Sequence, residues 1–77
     1  METEKRVFEI VAEVLEINVD QLSESSSIGD FPKWDSLGHM AVLSAIQEEF
    51  DFDLDAEEML DIEDLKDIVN VVKSKIA

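Results

Sequence analysis

Apolar side chains in this 77-residue chain recur at spacings of three and four, a period that admits helices and little else. Val7, Phe8, Val11, Val14 and Leu15 form one stripe. Val42, Leu43, Ile46 and Phe50 form a second, and Leu65, Ile68, Val69, Val72 and Ile76 a third. No strand-like alternation of useful length and no internal repeat accompanies them. The expected fold is all-α. It is a single domain over residues 1–77, a small four-helix bundle with a short third helix and a long loop between the first and second helices.

Capping residues set the expected boundaries. Thr3 suits the N-cap of the first helix, with Glu4 in its first turn. Asp35 suits the N-cap of the second, over about Ser36 to Phe50, because Pro32 disfavours helix at Phe31 before it. Asp55 with Glu58 three residues on predicts a capped short helix from about Ala56 to Leu60. The last helix is expected over about Glu63 to Lys75, with Lys73 and Lys75 at the end where the macrodipole favours positive charge. The connection over residues 18–35, "NVDQLSESSSIGDFPKWD", holds turn-formers and no sustained period, and it is long for so small a domain. Val19, Leu22, Ile28 and Phe31 read as its anchors on the helices.

Charge bounds the partners. Twenty Asp and Glu against six Lys and Arg give −14, so nucleic acid and anionic membrane surfaces are poor partners, and proteins with basic patches are favoured. Without cysteine there is no disulfide framework or thiolate site, and one histidine, His39, cannot build a multi-histidine zinc site in one chain. No apolar run approaches a membrane span and no leader pattern opens the sequence, so a cytoplasmic monomer is expected.

Three constellations call for chemistry. "DFDLDAEEMLDI" imitates a calcium loop through Asp51, Asp53 and Asp55. Ala56 stands where the loop needs glycine, however, and Ile62 where it needs a bidentate glutamate, so no metal site is expected. Ser36 and His39 have the spacing of a nucleophile and base but no orienting group or oxyanion hole, and His39 faces the core, so a hydrolase is rejected. Ser36 as the acceptor of a modification is the stronger reading. A phosphodiester there would meet the N-terminal end of a helix directly after its Asp35 cap. Leu37 beside it points outward. Gly38 costs up to about 1 kcal/mol relative to alanine in a helix, which either simple tolerance near the helix end or a close approach by a cofactor arm or partner would explain.

With the serine, the cap and the helix order in place, the sequence resembles the acyl carrier proteins over essentially its whole length, Val7 to Ile76. That family is a small acidic four-helix bundle with an Asp-Ser-Leu motif opening its second helix, here Asp35-Ser36-Leu37. "AIQEEFDFDLDAEE" is similar to the family's acidic stretch. The resemblance implies a 4′-phosphopantetheine on Ser36, with Asp35 and Leu37 beside it, added by a phosphopantetheinyl transferase from coenzyme A with Mg²⁺. The arm's thiol would hold acyl groups as thioesters, and the protein itself would catalyse nothing. It also implies an acyl cleft bordered by the second and third helices, for which Met40, Leu43, Ile46, Leu54, Met59, Leu60 and Ile62 are candidates, each also an ordinary core residue. Docking of acyl-loading and acyl-processing enzymes through basic patches would use the stripe Leu37, Ala41, Ser44 and Glu48, and Trp34 with Phe31 either anchors the long loop or marks a docking rim beside that stripe.

Several positions depart from the fatty-acid-synthesis pattern. The usual Asp-Leu-Gly before the motif is replaced by Phe31-Pro32-Lys33, Trp34 directly precedes Asp35, and Gly38 and Ala41 stand where acidic residues are common. A less acidic docking stripe redirects recognition, which points to a dedicated carrier in a fatty-acid-like, polyketide or other specialised pathway. Two neighbouring readings remain: an aminoacyl or peptidyl carrier, whose usual Gly-Gly before the motif is missing in "PKWDSL", and an unmodified acidic interaction module. A net charge of −14 on so small a surface also predicts self-repulsion. Raising salt or adding millimolar divalent cations is expected to raise the melting temperature, and a flat titration would contradict this.

Overall fold

In the computed structural model, which describes residues 2–76, four α-helices run in the expected order: α1 (Glu2–Leu15), α2 (Ser36–Phe50), α3 (Ala56–Asp61) and α4 (Leu65–Ile76). α1 is helical from Glu2, so Thr3 lies inside its first turn instead of capping it. α4 starts two residues later than its apolar pattern implied, because Asp64 is the cap: its Oδ1 accepts from the Asp67 N–H at 2.8 Å. Asp55 caps α3 as expected, accepting from the Glu58 N–H at 2.8 Å, while the Glu58 carboxylate accepts from the Asp55 N–H.

α1, α2 and α4 bury their stripes against one another. Val7, Val11 and Leu15 meet Val42, Leu43 and Ile46 of α2 and Leu65, Ile68 and Val72 of α4 in one core. Ile10 and Ala12 join it, whereas Phe8, Val14 and Phe50 only pack against its edge. Ile76, expected inward, is exposed on the final turn of α4. α3 contributes no fully buried side chain; it touches the core through half-buried Met59 and is tied to α4 by an ion pair between Lys75 and Glu58 at 2.9 Å. Arg6 joins α1 to α2 by donating to Glu49 at 2.9 Å, and that hydrogen bond holds the Glu49 carboxyl below the usual carboxylate range.

The long loop is held mainly by backbone, not by the four apolar anchors its sequence offered. Only Leu22 of the four is buried; Val19 begins a 3₁₀ turn (Val19–Gln21) and is exposed, as is Ile28, and Phe31 is half-buried. The Ser26 and Glu24 carbonyls accept from the Leu65 and Lys66 N–H groups at 2.8 and 3.0 Å, which satisfies donors that the start of α4 cannot satisfy itself. An isolated bridge pairs Ser27 with Asp64 alongside, and the Ile28 N–H donates to the Glu63 carbonyl at 3.2 Å. The loop then turns through Gly29, whose φ of +95° is one that side chains rarely tolerate. Its last anchor is Trp34, which is completely buried and stacks on Phe31 with ring centroids 6.4 Å apart.

Gly38 is required by the loop backbone. A Cβ at this position would lie 1.7 Å from the Lys33 carbonyl oxygen, so the loop backbone passes against α2 where only hydrogen fits. Gly38→Ala is therefore expected to destabilise the fold by about 1–3 kcal/mol, despite the better helix propensity of alanine. A urea midpoint equal to or above that of the unsubstituted protein would contradict this contact.

Candidate functional site

The site forms where the loop delivers Asp35 to the start of α2. Asp35 has extended backbone, its Oδ1 accepts from the Gly38 N–H at 2.8 Å, and its carbonyl accepts from the His39 N–H at 2.8 Å. That double tie fixes Ser36 as the first helical residue, exposed and at the positive end of a 15-residue helix. Leu37 follows at 83% exposure. Farther along the same outward face, Ala41, Ser44 and Glu48 are all exposed.

Beneath this surface lies a buried polar unit. The Trp34 indole N–H donates to His39 Nδ1 at 3.0 Å, and His39 Nε2 lies 3.0 Å from the Ile62 carbonyl oxygen. An indole N–H can only donate, so Nδ1 is the acceptor and Nε2 carries the proton that reaches Ile62. The imidazole thus joins three segments, the loop, α2 and the α3–α4 junction. With both nitrogens occupied inside the protein it is not a base for Ser36, in agreement with rejection of a hydrolase. Of the two readings of Trp34, loop anchor and docking rim, its burial fits the first: it is a core residue with no exposed surface. Its indole carries a donor that needs a buried partner, and His39 supplies one.

Ser36 sits at the meeting point of two surface clefts. One follows the loop from Ile28 and Gly29 to Phe31, Pro32 and Asp35. The other, of about 370 Å³, lies between α2 and α3 and is almost wholly apolar; Ile28, His39 and Met40 form one side and Ala56, Met59 and Leu60 the other. Of the seven candidates for an acyl cleft, this cleft brings together Met40, Met59 and Leu60. Leu43, Ile46, Leu54 and Ile62 are core residues exposed by only 1–7%, and none of them lines it. Ile28 and Ala56 belong to the cleft but were not among the candidates. Ile28 enters through loop pairing, which has no local signature, and Ala56 is too small to stand out in an apolar pattern.

The acidic turn plays a structural part. Asp51 takes the left-handed conformation (φ 54°) that ends α2. Gln47 bridges the turn, its Oε1 accepting from the Leu54 N–H at 2.8 Å and its Nε2 donating to the Leu43 carbonyl at 3.1 Å.

The helical bundle leaves Ser36 exposed at the capped start of α2, beside an apolar cleft. The class is a carrier domain. Residues 5–72 match the family described as a phosphopantetheine attachment site. The chain is similar to the acyl carrier protein of Clostridium acetobutylicum, 31% identical over 70 residues that cover 91% of each chain. It is equally similar to the acyl carrier protein of Buchnera aphidicola subsp. Schizaphis graminum, 31% identical over 70 residues and covering 87% of this chain and 89% of the relative. The chain belongs to the acyl carrier protein family, whose members bear a covalent 4′-phosphopantetheine, are not themselves enzymes, and work with a phosphopantetheinyl transferase and acyl-processing enzymes. No helix among the described residues is long and apolar enough to cross a membrane.

The buried unit makes a prediction. His39→Ala leaves the Trp34 N–H and the Ile62 carbonyl buried without partners, and is expected to cost about 2–5 kcal/mol. Nitrogen NMR of the imidazole in the unsubstituted protein is expected to show the Nε2–H tautomer; the Nδ1–H form would contradict the Trp34 bond.

Proposed function

We propose that Ser36 is the residue that receives the phosphopantetheine, and that this carrier serves a specialised pathway in the cytoplasm. The observation that supports the attachment most directly is the position of Ser36. It is exposed, first in a long helix, and its preceding cap turns inward onto Gly38. The residues present suit the group. A phosphodiester on Ser36 Oγ gains from the helix dipole, and open clefts on either side leave room for the arm. The thiol of the bound arm supplies thioester chemistry to a chain that has no cysteine. The chain's own residues do the rest: Asp35 and Gly38 hold the serine in position, and the apolar cleft offers cover for what the arm carries.

Leu37, Ala41, Ser44 and Glu48 form the proposed docking stripe. Leu37 is its apolar contact and Glu48 its one carboxylate, so enzymes that read it must rely less on charge than those of a highly acidic carrier. This supports a dedicated role in a fatty-acid-like, polyketide or other specialised pathway over general fatty-acid synthesis. Trp34 is buried and offers partners no side-chain surface.

The test is intact mass after incubation with coenzyme A, Mg²⁺ and a broad-specificity phosphopantetheinyl transferase, with Ser36→Ala alongside. A gain of one phosphopantetheine is expected in the unsubstituted protein and none in the variant. Equal gains in both, or no gain by folded protein with the cognate transferase, would overturn the assignment.

A further inference from the structure

Ser36 borders two clefts of different chemistry. The one between α2 and α3 is almost wholly apolar. The one on the loop side, of about 640 Å³, is mixed: Phe31 and Pro32 give it apolar surface, and Asp30 and Asp35 bring carboxylates to it. The same Phe31-Pro32 pair departs from the fatty-acid-synthesis pattern, and attachment at Ser36 does not by itself account for it.

The loop holds these groups on a fixed frame. The Asp30 N–H donates to the Ser27 carbonyl at 3.0 Å, and the Ser27 N–H donates to Asp30 Oδ2 at 2.9 Å, which ties the carboxylate down. The Trp34 N–H donates to the Phe31 carbonyl at 3.0 Å, and the Gly29 N–H to the Trp34 carbonyl at 2.7 Å. Phe31 is half-buried with its ring stacked on enclosed Trp34, and Pro32 is exposed with its φ fixed by its own ring. A ligand laid along this surface meets groups that are already in place, so contact costs little ordering of the protein.

A phosphopantetheine arm is itself mixed. Beyond its phosphate come a carbon bearing two methyl groups, a hydroxyl and then two amides. In the apolar cleft the hydroxyl and the amide N–H groups would lack acceptors. On the loop side the methyl groups cover Phe31 and Pro32 while the hydroxyl and an N–H donate to Asp30. The carboxylates favour these neutral donors and repel the phosphate, which stays at the N-terminal end of α2. Tethering raises the local concentration of the arm to the millimolar range, so a contact too weak to hold a free ligand suffices, and an enzyme readily lifts the arm away.

We infer that the loop cleft is the resting site of the phosphopantetheine arm, with Phe31 and Pro32 taking its dimethyl group and Asp30 accepting from its hydroxyl and an amide N–H. Between encounters the arm lies along the loop and not in the α2–α3 cleft. The inference rests on attachment at Ser36.

The test is NMR of holo protein made with coenzyme A that is isotope-labelled in its pantetheine, intact mass confirming one arm per chain. Nuclear Overhauser contacts are expected from the dimethyl protons to the rings of Phe31 and Pro32, with amide shifts at Gly29, Asp30 and Phe31 relative to the unmodified form. Dimethyl contacts to Met40, Met59 or Leu60 instead would overturn the proposal. Amide changes confined to Ser36 and its immediate neighbours, with no dimethyl contact to the loop, would overturn it equally. Phe31→Leu and Pro32→Ala leave an apolar side chain and the loop path in place. Each is expected to reduce the shifts at Gly29 and Asp30 about twofold, because the tethered contact loses part of its apolar surface. Undiminished shifts in both variants would overturn the part assigned to these two residues. A mass unchanged by the transferase would count against attachment at Ser36 alone. The cleft is then tested with Ser36→Cys, the single thiol in a chain without cysteine, alkylated by an iodoacetyl ester on the terminal pantoyl hydroxyl of S-methylpantetheine. The same contacts are expected there, and their absence would overturn the resting site.

Discussion

The structure depends on one buried donor and the ring that receives it. Trp34 is the largest side chain in the protein, and it is completely enclosed. An enclosed indole N–H without a partner would cost more than most single contacts contribute. His39 accepts that proton with one nitrogen and passes a second hydrogen bond to the Ile62 carbonyl with the other. A long loop, the central helix and the hinge between the two last helices are thereby fastened at one point. Two of the three fastened segments border the place where Ser36 emerges.

This arrangement explains why the region around Ser36 is so unlike the rest of the chain in composition. Both glycines and the only proline lie between positions 29 and 38. Gly29 takes a backbone conformation closed to most side chains, and Gly38 leaves room for the Lys33 carbonyl. Asp35 then ends the loop by capping the helix that begins with Ser36. Each of these choices is local, yet together they fix a serine at the surface with its backbone immobilised and its side chain free. A side chain on such a rigid base loses little ordering entropy when it is engaged.

The weakly attached part of the molecule lies beside the site. α3 buries no side chain completely and is held by Met59 and the Lys75–Glu58 pair, and an ion pair on the surface contributes little. The apolar cleft therefore has one firm wall, α2 with its locked histidine, and one yielding wall.

Periodicity and caps alone determined the helix order, the start of α2 at Ser36, the capped short α3, the inward set Val42, Leu43 and Ile46, and the outward stripe of Leu37, Ala41, Ser44 and Glu48. These are readable because they follow from interactions within a few residues of one another, such as Asp35 with Gly38 or Asp55 with Glu58. The motif around Ser36 also pointed to the family. Only the tertiary structure decided that Trp34 is core and not rim, that Gly38 answers to the Lys33 carbonyl, and that the loop is fastened by Ser26 and Glu24 carbonyls instead of by Val19 and Ile28. It likewise decided that Met40, Met59 and Leu60 share a cleft with Ile28 and Ala56 while Leu43, Ile46, Leu54 and Ile62 lie beneath it. An apolar residue reads the same in sequence whether it lines a cleft or fills the core. Which of these it does is set by backbone groups far away in the chain that close over it, and those carry no pattern of their own.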